Sequence, residues 1–221
     1  MQVCCFGVAP NPNGPIYMFL KIDIAMGDTG IRRSIVSQLS SQFPGLYTNE
    51  NIALVSTHQH SGVGGYLENL LPQLTALGYV KETADAIVAG TVLAVQRAHA
   101  SLAPGKLSLG NTTIVDGNIN RSPSAYLANP ASERARYQYD QDKDMSLLRF
   151  DDANGKARGF LSFFAVHGTS LYEVRDNVSS IFPSISICSR TTLWSVETTR
   201  EWPLSCTKVL NTVFVFFSFH S

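Results

Sequence analysis

No stretch of the chain reaches the roughly 18 consecutive apolar residues of a membrane-spanning helix. The nearest, Leu210 to Phe219, is interrupted by Asn211 and Thr212 and suits a buried strand or an aggregation-prone tail better. Charge of either sign is not in excess: 17 Lys and Arg balance 17 Asp and Glu. That leaves no electrostatic footprint for nucleic acid or an anionic membrane surface. Cysteine is scarce, and Cys4, Cys5, Cys188 and Cys206 form no CxxC pair, which argues against a cysteine zinc site or a disulfide scaffold. The opening Met1-Gln-Val-Cys-Cys-Phe-Gly7 has no basic segment ahead of an apolar one, so no secretory signal is read there and the compartment is left unassigned. These exclusions favour a neutral or small-molecule partner. With 221 residues the chain is long enough for one real core.

Between Ile16 and about Val166, strand-like and helix-like segments alternate with clear punctuation. This pattern is expected of an α/β fold, a mixed layered sheet with flanking helices. Tyr17 to Ile24 reads as a buried strand. Thr29 to Phe43 reads as a helix, with Asp28 as N-cap, Ile31, Ile35 and Leu39 at helical spacing, and Pro44-Gly45 as the stop. Asn51 to Thr57 is a second apolar, β-branched strand. Lys81 to Leu102 places Ala84, Ile87, Val88, Val95, Ala98 and Leu102 on one helix face. Lys106 to Val115, Met145 to Phe150 and Phe160 to Val166 are further strands, the last two joined by the turn-like Asp151-Asp-Ala-Asn-Gly155. After Glu173 neither a period of 2 nor one of 3.6 persists.

Chemistry concentrates at Ser56-Thr-His-Gln-His-Ser-Gly-Val-Gly-Gly65. On a strand, residues two apart share a side, so His58 and His60 are expected to present both imidazoles to one cavity. The glycines allow close backbone approach. Neutral imidazole is a good zinc ligand; the alternative is a pair of surface histidines at a strand exit. His167 ends another apolar strand and is followed by Gly168, which makes it a candidate for the same rim. Arg121, in the turn-rich Asn118 to Tyr126 loop, could donate to a substrate oxygen or be a solvated loop residue. His99, on the long helix, and His220 read as structural or incidental, and the charged run Glu133 to Asp144 reads as a solvated surface.

Taken together, Thr57-His-Gln-His-Ser-Gly-Val-Gly-Gly-Tyr-Leu67, Asn120-Arg-Ser-Pro-Ser-Ala-Tyr-Leu-Ala-Asn-Pro130 with Glu133-Arg-Ala-Arg136, Asp142-Lys-Asp-Met-Ser-Leu-Leu148 and Phe164-Ala-Val-His-Gly-Thr-Ser170 resemble the successive signature segments of neutral ceramidases. They stand in the family's order and at about its spacing, from roughly Phe19 to Glu173, and the wording around Asp28 to Arg33 is closest to the fungal branch. The resemblance implies zinc-dependent hydrolysis of the ceramide amide to sphingosine and a fatty acid. It implies zinc held by His58 and His167, His60 and Arg121 as catalytic residues at the substrate's polar head, and Gly62, Gly64 and Gly65 as the site floor. The family is typically secreted or membrane-associated, so peripheral membrane contact is a further implication.

The resemblance also implies what is missing. The family completes its zinc site with a glutamate and a tyrosine further along, and it carries a catalytic serine beyond the His-Gly-Thr-Ser loop; no matching segment follows here. The expected division is an irregular amino terminus over 1–18 in place of the family's opening strands, a partial catalytic domain over 19–173, and an unrelated tail over 174–221. Val174-Arg175 can be encoded by GTGAGA or GTAAGA, the wording of an intron start, so the tail is expected to be translated intron or frame-shifted sequence. The expected outcome is an inactive hydrolase fragment. The alternatives are a non-catalytic lipid- or partner-binding fragment, a mis-spliced product without function, and an unrelated zinc amidohydrolase using Asp23 or Asp116 as its acidic ligand.

Overall fold

A computed structural model describes residues 3–9, 16–59, 62–166 and 206–220, the last as backbone. In chain order the elements are β1 (Val3–Ala9), β2 (Tyr17–Ile22), α1 (Thr29–Gln42), β3 (Ile52–Ser56), α2 (Leu70–Thr75), α3 (Lys81–Ala100), β4 (Ala103–Thr113), α4 (Pro123–Leu127), α5 (Ala131–Arg134), β5 (Asp144–Asp152), β6 (Ala157–Phe164) and β7 (Cys206–His220). The strands form one mixed sheet in the order β3-β2-β1-β7-β4-β5-β6. β2 and β3 are parallel, joined through α1, and every other neighbouring pair is antiparallel. The expected α/β class, a mixed sheet with flanking helices, is what the chain adopts.

The pleat sorts side chains between two cores. On β2, Met18, Leu20 and Ile22 are buried beneath α1 and α3, while Phe19 points to the opposite face. α1 starts where Asp28 Oδ1 accepts the Gly30 and Ile31 amides at 2.8 and 3.1 Å. It buries Ile31, Ile35, Val36 and Leu39, each contributing on the order of 1.5–3 kcal/mol. α3 buries Ala84, Ile87, Val88, Val92, Ala94, Val95 and Ala98. The buried Thr91 returns its hydroxyl to Ile87 O at 2.7 Å, so that this hydroxyl is not stranded.

The opposite face forms a smaller core of Phe6, Phe150 and Leu161, with Val8, Phe19, Leu107 and Leu148 packed around it. Register shifts at Gly105/Leu107 and Leu109/Gly110 mark bulges between β4 and β7, which bend a strand and increase its twist. The two halves of the sheet meet on this face: Phe6 stacks on Phe150 with ring centroids 5.7 Å apart, and Phe19 meets Phe163 edge-on at 5.8 Å.

Two expectations change. The stretch read as irregular, 1–18, contains β1, which pairs antiparallel with β2 from Val3↔Ile22 to Val8↔Tyr17. Its Cys5 is a buried small hydrophobe, and Val3 and Cys5 face the larger core while Phe6 and Val8 face the smaller, a strand alternation obscured by Gly7. In the tail, where no steady period was read and only Leu210 to Phe219 suited a buried strand, residues 206–220 run as a longer strand between β1 and β4. Long-range pairing, which local periodicity does not report, puts it there.

Candidate functional site

β3 ends at Ser56, and the chain then follows the exit of β2. The Thr57 amide donates to Ile22 O at 3.0 Å, the Gln59 amide to Ile24 O at 3.1 Å, and the Thr57 hydroxyl to Asp23 Oδ1 at 2.8 Å. Between them His58 takes a left-handed backbone, φ 59°, uncommon for a residue with a Cβ. β3 has therefore ended before His58, and the strand geometry expected to align His58 with His60 does not reach it. His60 and His167 lie outside the described residues.

The exposed His58 ring places Nδ1 2.8 Å from Ala25 O. A carbonyl oxygen only accepts, so Nδ1 carries a proton, and in the neutral ring the lone pair falls to Nε2. A backbone carbonyl on one imidazole nitrogen is the arrangement that orients a metal-binding histidine for coordination through the other. His58 thus fits a zinc ligand on its tautomer. Among the described residues no group of three or more His, Cys, Asp or Glu side chains is placed to hold a metal ion.

The stretch that follows the glycine loop is fastened to the segment after β2. Tyr66 is buried, its hydroxyl donating to Met26 O at 3.0 Å and accepting from the Met26 amide at 3.1 Å. Burial pushes the Tyr66 phenol above its ordinary value. Asp28, buried at the start of α1, turns its second oxygen to the Glu68 amide at 3.2 Å and the Asn69 amide group at 3.5 Å. Gly65 is left-handed, φ 76°, and a Cβ there would sit 2.8 Å from Val80 Cγ2; its carbonyl accepts the Val80 amide at 2.7 Å. A Cβ on Gly62 would lie 3.3 Å from Gln59 Cγ, whereas one on Gly64 would meet nothing within 4 Å. Asp28 was legible as a cap, but its second attachment, and the role of Tyr66, leave no mark in local spacing.

Arg121 is exposed in the loop between β4 and β5. That loop is anchored through Asn118, whose amide nitrogen donates to Asp142 O at 2.8 Å and Ala165 O at 2.6 Å. Gln141 Nε2 donates back to Asn118 Oδ1 at 3.0 Å. Gly117 permits this docking, because a Cβ there would fall 2.8 Å from the Phe164 ring. Asn118 therefore joins the Arg121 loop to the strand exit that leads to His167. An open cavity of about 520 Å³, lined by Asp116, Asn118, Asn120, Asp140 and Lys143 among others, lies beside it. Asp23 is engaged by Thr57 at the β2 exit. Glu133 pairs with Arg136 at 2.9 Å on the surface, and His99 accepts from the Tyr47 hydroxyl at 2.9 Å as a structural residue.

Residues 5–181 match the family model described as neutral/alkaline non-lysosomal ceramidase, N-terminal. The chain belongs to this ceramidase family. The match is wider at both ends than the Phe19–Glu173 resemblance, and it begins at Cys5, within β1. The chain is 36% identical over 172 residues to Neutral ceramidase 1 of Arabidopsis thaliana and 37% identical over 173 residues to the Neutral ceramidase of Drosophila melanogaster. Each alignment covers 78% of this chain, but only 22% and 25% of those ceramidases. The chain thus spans about a quarter or less of the length of these relatives. The crystal structure of the Pseudomonas aeruginosa neutral ceramidase superposes with a TM-score of 0.68 at 28% identity, covering 77% of this chain and 32% of that one.

Proposed function

We propose that the chain supplies the amino-terminal share of a zinc-dependent site that hydrolyses the N-acyl amide of ceramide to sphingosine and a fatty acid. Family membership supports the reaction, and the observation that carries the site is the His58 ring, held by Ala25 O in the tautomer with its lone pair on Nε2. In this reading His58 and His167 hold the metal, His60 and Arg121 engage the polar head of the lipid, and Gly62, Gly64 and Gly65 let it approach the backbone. Zinc, when bound, supplies Lewis-acid polarisation of the amide carbonyl and lowers the pKa of the attacking group. The Arg121 guanidinium would donate to a substrate oxygen.

Catalytic zinc sites generally use three protein ligands, and this reading assigns two. The 221-residue chain alone is therefore expected to bind zinc weakly and to turn over little or no ceramide. The second reading is a chain that binds lipid without cleaving it. Zinc affinity by chelator competition, together with binding and turnover of a fluorescent ceramide, separates these. Zinc affinity that drops in His58→Ala supports the ligand assignment, and unchanged affinity overturns it. Ceramide turnover abolished by His58→Ala would overturn the expected inactivity, and ceramide binding without turnover selects the second reading. Peripheral contact with a membrane belongs to the same proposal, since the substrate is a lipid.

A further inference from the structure

The segment between Glu68 and Lys81 contains no Asp, Glu, Lys, Arg or His. It directs large aliphatic side chains outward: Leu70 is 71% exposed, Leu71 77%, Leu74 65% and Leu77 96%. Its shape is set by backbone and amide bonds rather than by burying those leucines. Gln73 Nε2 donates to Glu68 O at 2.8 Å, the Gly78 amide to Gln73 O at 2.8 Å and the Val80 amide to Gly65 O at 2.7 Å. Leu77 is itself left-handed, φ 59°, a strained state for a leucine, and its exposure means that no packing among the described residues offsets the cost.

We infer that residues 69–80 form an edge that docks on a neutral lipid surface, seating these leucines among acyl chains. Apolar side chains inserted at a bilayer interface gain by the area they bury. The missing basic residues remove any need for anionic lipid, so the uncharged segment matches a zwitterionic surface. A protein partner is a poorer match, because protein interface cores favour aromatic residues and Arg, and Leu is under-represented among their energetic anchors. Through the Val80–Gly65 bond the edge is joined to the glycine loop that follows His58, which would set the candidate site beside the membrane that holds its substrate. In purpose, though not in physical basis, the inference rests on the lipid-substrate reading.

Co-sedimentation of the full 221-residue chain with phosphatidylcholine vesicles lacking ceramide tests it. Binding is expected, with little change as salt rises from about 0.1 to 1 M, conditions that screen surface charge. The combined variant Leu71→Gln, Leu74→Gln, Leu77→Gln should bind vesicles at least about tenfold more weakly with an unchanged melting temperature. Leu77→Gly, which relieves the left-handed strain, should melt higher yet bind more weakly. A wild-type chain that stays in the supernatant overturns the inference, as does undiminished binding by the triple variant. So does binding confined to anionic vesicles and lost in salt, or a triple substitution whose only effect is on self-association. Because these vesicles contain no substrate and the readout needs no zinc, failure here leaves the hydrolase reading intact, and loss of the His58 zinc assignment leaves the docking edge intact.

Discussion

His58 is fixed at both ends: Ala25 O holds its Nδ1 at 2.8 Å, and its own backbone sits left-handed at φ 59°. The two constraints can be separated, because Asn tolerates a left-handed backbone but offers no imidazole. His58→Asn is expected to fold normally, with a melting temperature within a few degrees of wild type, while zinc affinity falls at least about tenfold. Chelator competition and thermal melts on the same samples check this. Retained affinity would remove His58 from the ligand set.

Neighbouring glycines should respond differently to the same added methyl group. Gly65→Ala imposes a left-handed alanine and a 2.8 Å approach to Val80 Cγ2, expected to cost about 1–3 kcal/mol. Gly64→Ala meets nothing within 4 Å and should stay within about 0.5 kcal/mol of wild type. Denaturant titrations of both variants decide. Equal losses would mean that the loop does not hold this conformation in solution.

Asp28 serves α1 and the glycine loop with its two oxygens. Removing it loses a helix cap and strands a partly buried amide at Glu68, together worth roughly 2–4 kcal/mol. Asp28→Ala should therefore unfold well before Asp28→Asn, which keeps one acceptor oxygen. Increased amide exchange is expected both at the start of α1 and around Glu68. Exchange confined to α1 would show that the second attachment is not made.

The pair of buried Tyr47 and half-buried His99 predicts a pH dependence. Burial, with Cys5 adding to it, pushes the Tyr47 phenol far up, so it stays protonated and can donate to His99 Nδ1. Burial also lowers the His99 pKa, and a protonated ring has no acceptor nitrogen to offer Tyr47. The unfolded chain takes up a proton near pH 6.5, whereas the folded chain does so only at lower pH. Stability is therefore full above about 6.5 and declines as pH falls from there toward the folded value. Urea midpoints at pH 7.5 and 5.5 should differ by less in His99→Gln than in wild type. The same difference in both would exclude His99 as the source.

What could be read from the sequence was what short-range spacing encodes. Asp28 followed by Ile31, Ile35 and Leu39 announces α1, and the apolar stripe from Ala84 to Ala98 announces α3; both helices stand within two residues of their expected ends. The histidine and glycine segment stood out because its residue types are chemically unusual together. The left-handed turn at His58 did not, since nothing in Thr57-His-Gln states a backbone angle that is set by hydrogen bonds to Ile22, Ile24 and Ala25. β1 was missed because its alternation is short and interrupted by a glycine. The 206–220 strand takes its place from partners about half a chain and almost a whole chain away.

That last pairing has a kinetic side. Val3 lies opposite His220 and Ala103 opposite Val215, so the strand that joins the halves of the sheet makes contacts of very large sequence separation. Closing so long a loop forfeits chain entropy before any hydrogen bond repays it, and topologies rich in such contacts fold slowly. Until that closure, the facing edges of β1 and β4 remain unpaired templates for other chains. The exposure of these edges while the sheet waits for its middle strand, more than the stability of the finished fold, should set the concentration at which the protein can refold without aggregating.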